Sequence, residues 1–440
     1  PRCLTRMVDC LNQKSAQFSC WIRAAFDAAL VAGQPLQITQ SACHTLAEPT
    51  LVIALGKAAG AMAQGARASG VTAPGVVITT DENHCQIDGF NCLAASHPIP
   101  DVRGLRAAKT VTDLVTSLQT EDHLLLLISG GGSALLPAPA AGISLEQKIG
   151  LNDALLASGL DIHDINVIRR LFSRLKGGRL AKLAAPAKIT QFLFSDVPGD
   201  RLESIASGIA AADPVPFEYA KSLVEKNQFD RFDFVASHMA ALEKNEALRP
   251  VRPGDQCLDR VHSNILASNA QCCVAAADWL ATEIPNLVQL EAPELAGEAQ
   301  QMASQFVTQI CREKVKQNSA DQIFGIVSGG ETVVSMDSKN VGRGGRSQEL
   351  ALAFACQMRR AGDAAPANWA VLAGGTDGRD GPTDAAGGIF TSGQNFDLDE
   401  ANNALQCHDS YGFLAKQNSL VKTGATGTNL GDLILILWST

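Results

Sequence analysis

Residues 124–133 read Leu-Leu-Leu-Leu-Ile-Ser-Gly-Gly-Gly-Ser, a short apolar run that ends in a glycine-rich turn. The same arrangement recurs along the chain, where apolar runs end in polar or glycine-containing turns at 51–55, 76–79, 189–194, 323–327 and 369–372. Strands that alternate with helices predict an α/β protein with a doubly wound, mostly parallel sheet. In such sheets ligands bind beyond the carboxyl ends of the strands, where these turns fall.

The composition limits the classes of protein that the chain can represent. Its 440 residues are 46% hydrophobic and carry a formal charge of -9, which suits two globular domains with sizeable cores. An acidic chain lacks the basic surface that phosphate backbones need, so nucleic acid is not expected as a partner. The longest apolar runs are too short to span a bilayer. The 12 cysteines are scattered without a C-x-x-C pair, so we expect free thiols in a reducing cytoplasm.

Prolines between residues 215 and 255 indicate a change of domain. We therefore place an N-terminal Rossmann-like domain at 1–240 and a C-terminal α/β domain at 241–440, with 415–440 as a candidate to pack back on the first domain. The first 50 residues are predicted to be helical because apolar residues recur there at helical spacing: Phe18, Ile22, Ala25, Phe26 and Ala29.

The turn at 129–133 is a candidate anion cradle, because glycines let backbone N–H groups approach phosphate or carboxylate oxygens. It lacks the Walker A pattern, and no G-x-G-x-x-G follows an early strand, so a dinucleotide fingerprint is missing. A tight turn without a ligand is the plainer alternative.

Lys57 directly follows an earlier strand at a predicted helix start, where a cation is unfavourable unless it binds an anion or reaches solvent.

Charged side chains also follow the other predicted strands. Asp196 and Asp200 in S-D-V-P-G-D could bind Mg²⁺ or accept a proton from a hydroxyl, although a capped turn explains them equally well. Arg343 and Arg346 precede an amphipathic helix, and guanidinium groups suit phosphate and carboxylate. A glycine-rich segment contains three more aspartates: Asp377, Asp380 and Asp384. Their spacing does not match an EF-hand calcium loop, and they are better suited to binding Mg²⁺ together with nucleotide phosphates.

Taken in order, these motifs resemble the class II glycerate kinase family, the glycerate 2-kinases, whose C-terminal part is called the MOFRL domain. The resemblance rests on A-L-G-K-A-A at 54–59, H-P-I-P-D at 97–101, L-I-S-G-G-G-S-A at 127–134, K-G-G-R-L-A at 176–181, S-D-V-P-G-D at 195–200, S-G-G-E-T at 328–332, G-R-G-G-R-S-Q-E at 342–349, G-T-D-G-R-D-G-P-T-D-A-A-G at 375–387 and G-T-N-L-G-D-L at 427–433. It implies ATP- and Mg²⁺-dependent phosphorylation of D-glycerate at O2 to 2-phosphoglycerate, in a cleft between two α/β domains. The family's conserved lysine and arginine fall on Lys57 and Arg346.

From the motifs and the resemblance together we assign roles to individual residues. The catalytic residues are Lys57, Arg346 and Asp196. Substrate or phosphate binding is assigned to Ser129, Gly130, Gly131, Gly132, Ser133, Gly329, Gly330, Glu331, Arg343 and Asp377. The metal ligands are Asp196, Asp200, Asp380 and Asp384. Which loop holds ATP and which holds glycerate stays open.

Two other functions remain open from the sequence. Some family members carry the name hydroxypyruvate reductase, which would require a nicotinamide cofactor. A ligand-binding protein on the kinase fold is the second alternative, because Leu171 stands where the family usually has a histidine. A homodimer is also left open.

Overall fold

The computed structural model describes residues 2–316, 322–336 and 342–439. The chain divides into two compact units. One comprises residues 35–266 and is called the inserted unit here; the other joins residues 1–34 to 267–440 and is called the discontinuous unit. The sequence-based division at residues 240 and 241 differs from this arrangement, since the first 34 residues belong with the C-terminal part.

Helix α1 (Arg2–Ala32) explains why the N-terminal residues join the discontinuous unit. Phe18, Ile22 and Phe26 lie four residues apart on one face and are fully buried. This face packs against helix α11 (Asn269–Glu283) and strand β9 (Asn368–Gly375). Burial of each large apolar side chain contributes about 1.5–3 kcal/mol, so the helix is firmly held there.

The inserted unit contains a sheet with the strand order 3-2-1-4-5-6. Its strands are β1 (Leu51–Leu55), β2 (Gly75–Thr79), β3 (Phe90–Ala94), β4 (His123–Ile128), β5 (Lys188–Ser195) and β6 (Val261–Ser268). Strands β1 to β5 pair in parallel. The order reverses between β1 and β4, which defines the switch point where doubly wound sheets bind their ligands. The prediction of a doubly wound, mostly parallel sheet is confirmed.

Three helices of the inserted unit begin at a side-chain cap. Asp101, Asp161 and Ser144 cap them by accepting backbone N–H groups, and Ser144 forms a capping box with Gln147. The helices of this unit are α2 (Pro35–Cys43), α3 (Ala59–Ala68), α4 (Val102–Thr116), α5 (Gly132–Leu135), α6 (Leu145–Leu156), α7 (Ile162–Leu171), α8 (Arg179–Ala184), α9 (Phe217–Lys226) and α10 (Asp233–Lys244). Helices α6, α7, α9 and α10 share a separate apolar cluster.

The discontinuous unit contains a mixed sheet with the strand order 11-10-9-12-8-7. Its other strands are β7 (Val288–Gln289), β8 (Ile323–Gly330), β10 (Gly387–Thr391), β11 (Leu420–Val421) and β12 (Asp432–Ser439), and its other helices are α12 (Ala299–Lys316), α13 (Arg346–Ala361), α14 (Leu398–Gln406) and α15 (Ser410–Lys416). Strand β12 runs antiparallel to both β8 and β9, so residues 432–439 of the C-terminal segment pair within this sheet. Within the described ranges, no helix is long and apolar enough to cross a membrane.

Candidate active site

The turns that follow β1 and β4 are joined by hydrogen bonds at the switch point. The backbone N–H of Lys57 donates to the carbonyl of Gly130 at 2.9 Å, and the backbone N–H of Ala58 donates to Ser129 Oγ at 3.0 Å. Ser129 is buried. The first two sequence motifs therefore form one site, called the switch-point site here and defined by Lys57, His97 and residues 129–133.

Two glycines permit this close approach. Gly56 has φ +123°, and a Cβ there would lie 2.3 Å from Ser129 Oγ. Gly131 has φ +83°, and a Cβ there would lie 3.2 Å from Lys57 Cγ and 3.3 Å from His97 Cδ2. Only glycine adopts these conformations freely, so the glycine-rich turn presents backbone directly to the Lys57 and His97 side chains.

The charge of the switch-point site is positive. In the part of the chain that the structure describes, no carboxylate forms a salt bridge with the half-buried Lys57. Burial, and then the Lys57 ammonium, lower the pKa of His97, which favours a neutral imidazole at pH 7. The lysine is thus available to an anion supplied from outside the protein.

Ser133, at the end of the same turn, is held by a lysine that the sequence assignment missed. Lys176 Nζ donates to the Ser133 carbonyl at 3.0 Å and also to Ser133 Oγ. Ser133 Oγ and Ser207 Oγ are 3.0 Å apart and share a hydrogen bond. Burial, followed by the cations Lys148 and Arg169, lowers the pKa of Lys176 well below its usual range. The sequence feature that could have identified Lys176 was its position at the start of the K-G-G-R-L-A motif.

Asp196 and Asp200 lie in the turn that follows β5, beside the switch-point site. Strand β5 pairs in parallel with β4 in the register Ile128 opposite Leu193. The two turns therefore emerge at the same edge of the sheet. Both aspartates are half-buried, and Asp200 adopts a left-handed backbone conformation with φ +52°. This placement is compatible with their predicted roles.

Arg346 lies in a group of charged residues in the discontinuous unit, called the arginine cluster here and defined by Arg346, Asp432 and Glu331. The Arg346 guanidinium donates to both carboxylate oxygens of Asp432, with Nε at 2.5 Å and Nη2 at 3.1 Å, and its Nη1 donates to Glu331. Asp432 begins β12 directly opposite Gly330 and Gly375, at the carboxyl ends of β8 and β9. Asp432 belongs to the quoted G-T-N-L-G-D-L motif but received no role.

Two further predicted aspartates adjoin this cluster. A Cβ on Gly375 would lie 3.2 Å from both Asp377 Oδ1 and Asp432 Oδ1, so glycine there lets the two carboxylates approach. Asp380 is buried and accepts the backbone N–H groups of Ser347 and Gln348 at 3.1 Å and 2.7 Å. Burial, reinforced by Asp432, raises the pKa of Asp380 to about 7.

The remaining predicted residues have other surroundings. Gly329 and Gly330 lie within β8, where a Cβ on Gly329 would overlap Asn269 and one on Gly330 would lie 2.3 Å from the Leu295 carbonyl. Their packing alone therefore requires glycine. Arg343 is exposed and stacks 4.2 Å above the Tyr411 ring. Asp384 is also exposed and accepts hydrogen bonds from Tyr411 and Lys422.

The two predicted metal ligands of the discontinuous unit have separate partners. Asp380 caps α13, whereas Asp384 makes a surface ion pair with Lys422. Across the described ranges, no three side chains of His, Cys, Asp or Glu are placed to hold a metal ion together. Magnesium is usually bound by one or two carboxylates together with substrate phosphates and water, so a smaller donor set still suits it.

A doubly wound sheet with a cationic, glycine-rich site at its switch point is typical of enzymes that bind small anionic substrates. A family model for a domain of unknown function, DUF4147, matches residues 21–240, and the MOFRL family model matches residues 324–432. The chain belongs to the glycerate kinase family with a C-terminal MOFRL domain, and the predicted family is confirmed.

Individual proteins support this family. A D-glycerate 2-kinase of Thermotoga maritima is 36% identical over 393 residues, which cover 88% of this chain and 89% of that protein. A protein of Agrobacterium vitis with the provisional name hydroxypyruvate reductase is 33% identical over 425 residues, covering 94% of this chain and 93% of that protein. A crystal structure of a glycerate kinase from Thermotoga maritima matches with a TM-score of 0.83 and 33% identity, covering 96% of this chain and all of that one.

Proposed function

We propose that this protein transfers the γ-phosphoryl group of ATP to O2 of D-glycerate in the presence of Mg²⁺, which yields 2-phosphoglycerate and ADP. The observation that carries the proposal is the switch-point site, where an ammonium group without a carboxylate partner among the described residues adjoins a backbone-exposing turn. The choice of glycerate is supported by the glycerate 2-kinase relative. We further propose a cytoplasmic location, in keeping with free cysteines in the described residues.

Phosphoryl transfer depends mainly on positioning and charge neutralisation. Lys57 would bind anionic oxygens of the acceptor or of the transferred group, and the backbone of residues 129–133 would donate to phosphate oxygens. Asp196 would orient the O2 hydroxyl and accept its proton while O2 bonds to the γ-phosphorus. The bond from that phosphorus to the bridging oxygen of ADP breaks in the same step.

The carboxylates present are chemically suited to Mg²⁺. Asp196 and Asp200 at the end of β5 offer oxygen donors, and Asp377 with Asp432 offers a second pair beside Gly375. Bound Mg²⁺ would supply neutralisation of the phosphate charge. Arg346 would bind an anionic oxygen only after exchanging part of its contact with Glu331, the more exposed of its two carboxylate partners.

A coupled assay tests the proposed reaction directly. Purified protein is incubated with ATP, Mg²⁺ and D-glycerate, and the product is passed to enolase without a phosphoglycerate mutase. We expect phosphoenolpyruvate to form, because enolase accepts 2-phosphoglycerate and not the 3-phosphate. If enolase accepts the product only after the mutase is added, the product is 3-phosphoglycerate and the phosphorylated oxygen is O3 rather than O2. Absence of both products would contradict the kinase proposal.

The reductase name of the Agrobacterium vitis relative supplies a second candidate. The turn after β1 reads Gly56-Lys57-Ala58-Ala59-Gly60 and lacks the G-x-G-x-x-G spacing that holds a dinucleotide pyrophosphate. The same preparation should therefore leave NADH unoxidised in the presence of hydroxypyruvate. Oxidation of NADH without phosphorylation of glycerate would favour the reductase.

A further inference from the structure

The inserted unit contains a cavity of about 330 Å³ that borders the switch-point site. Gly131 and Ser133 form one margin, while the opposite wall comes from helices α6 and α7. Three cationic side chains line it: Lys148, Arg169 and Lys176. None of the lining residues, all within the described part of the chain, is Asp or Glu. We call this cavity the cationic pocket.

Neutral oxygen atoms, rather than carboxylates, hold these cations in place. Lys148 Nζ donates to the Phe172 carbonyl at 3.0 Å, and Lys176 Nζ donates to the Ser133 carbonyl at the same distance. Arg169 Nη1 makes a long contact of 3.4 Å with Asn166 Oδ1. Arg169 Nε is buried and has no hydrogen-bond partner among the described residues. A buried N–H without an acceptor is costly, so Arg169 Nε has a hydrogen bond to donate to a bound ligand or a water molecule.

The charges in the pocket repel one another. Burial, and then the neighbouring arginines 169 and 179, lower the pKa of Lys148 to about 8. Burial alone lowers the pKa of Arg169. A bound anion would offset this repulsion and favour the protonated lysine. The lowered pKa values and the hydrogen-bond geometry therefore both favour binding of a negatively charged group near Arg169 and Lys148.

The rest of the pocket restricts the size and chemistry of its ligand. Leu151 and Leu155 follow Lys148 at helical spacing and, with Phe172, make one wall apolar. The volume lies near the lower end of the range for small-molecule sites, which extends from about 300 to 1,000 Å³. A small organic acid matches this volume, and its carbon atoms can lie against the leucines.

We propose that the cationic pocket binds the carboxylate of the acceptor acid, with Arg169 and Lys148 as its ligands. This inference rests on the proposed glycerate kinase activity and identifies the part of the site that selects an acid. With its carboxylate in the pocket, a 2-hydroxy acid would direct its hydroxyl towards the margin formed by Gly131 and Ser133. Lys176 would keep Ser133 in position through the hydrogen bonds described above.

Equilibrium binding tests the pocket independently of turnover. Isothermal titration of D-glycerate, ATP and inorganic phosphate is compared for the wild type, Lys148→Met and Arg169→Lys. Each variant should raise the Kd for D-glycerate by about 10–100-fold, because it loses a charge-assisted hydrogen bond to the ligand. The Kd for ATP should change by less than about twofold. Lys182→Met is the matched control, since Lys182 is exposed, lies outside the pocket and also donates to a backbone carbonyl.

The outcomes separate this proposal from the kinase proposal. Unchanged glycerate binding in both variants overturns the carboxylate site even if the wild type phosphorylates glycerate. Weaker binding of ATP or phosphate instead of glycerate also overturns it, in favour of a phosphate site. Pocket-dependent glycerate binding without phosphorylation supports the carboxylate site and contradicts the kinase proposal. A wild type that does not bind D-glycerate at all overturns the carboxylate site as stated.

Substrate preference provides a readout that structural damage would not imitate. D-Glyceramide carries a neutral amide in place of the carboxylate, so it gains less from the two cations. The wild type should prefer D-glycerate over D-glyceramide in kcat/KM, and Lys148→Met should reduce this preference by about 10–100-fold. Equal losses for both substrates would indicate general damage and overturn the assignment of Lys148. Thermal unfolding of each variant verifies that it remains folded.

Discussion

The switch-point site and the arginine cluster have opposite imbalances of charge. Lys57 has no carboxylate partner among the described residues, and the cationic pocket beside it is lined by no acid. Arg346, in contrast, is held by Asp432 and Glu331, with the buried Asp380 nearby. The first region can accept an anion without losing an existing ion pair. The second region presents a preformed ion pair surrounded by surplus carboxylates, which suits the positioning of Arg346 or the binding of a cation.

Replacement of Lys57 by Ala should have the largest effect. Loss of a cation that we propose to bind developing or transferred negative charge should lower kcat/KM for D-glycerate by about 10²–10³-fold. Stability should change by less than about 0.5 kcal/mol, because no ion pair is broken. Steady-state kinetics and urea unfolding measure the two effects, with Lys182→Ala as the control. Near-normal turnover would remove Lys57 from the mechanism.

Replacement of Arg346 by Ala should instead destabilise the protein. Asp432 is 4% exposed, so removal of its partner leaves a buried carboxylate unpaired, at a cost of about 3 kcal/mol. Arg343→Ala is the matched control because Arg343 is exposed and stacks on Tyr411. Urea unfolding should separate the two variants clearly. Equal stability of Arg346→Ala and the wild type would contradict the description of the arginine cluster as a structural ion pair.

The pH dependence of stability sharpens the comparison at Asp380. Burial, with Asp432, raises its pKa from 3.8 to about 7, so the folded protein retains a proton that the unfolded chain has already lost. The stabilising effect of this proton is present at low pH and is lost as pH rises towards 7. Between about pH 5 and 7 the wild type should lose about 2 kcal/mol relative to Asp380→Asn.

The matching measurement is urea unfolding of both proteins across this pH range. A difference that stays constant with pH would show that Asp380 ionises normally in the folded state. It would also contradict the surplus of carboxylates that distinguishes the arginine cluster from the switch-point site.

Replacement of Glu331 by Gln should have the smallest effect on stability. The Glu331 side chain is 52% exposed, and ion pairs at such positions contribute less than about 1 kcal/mol. Asp432 would still hold Arg346 through two hydrogen bonds. A loss as large as that of Arg346→Ala would place Glu331, rather than Asp432, at the centre of the cluster. Urea unfolding of both variants decides between them.

The strands were predictable where the apolar runs were continuous and buried. The runs at 51–55 and 124–128 fall within β1 and β4, whose residues are all buried. Strand β3 (Phe90–Ala94) was missed because it is partly exposed, and β6 (Val261–Ser268) because polar residues interrupt it. The position of β12 between β8 and β9 could not be predicted from the local sequence, because strand pairing depends on residues far apart in the chain.

The sequence by itself determined the class of fold, the family, and the turns that carry Lys57, Arg346 and residues 129–133. Those properties depend on local order, because a strand followed by a glycine-rich turn is a continuous stretch of chain. Tertiary structure alone paired Arg346 with Asp432, 86 positions away, and made Asp380 a buried helix cap. It also assembled the cationic pocket from α6, α7 and the K-G-G turn. Charges from separate elements acquire their partners, or remain without them, only when packing brings those elements together.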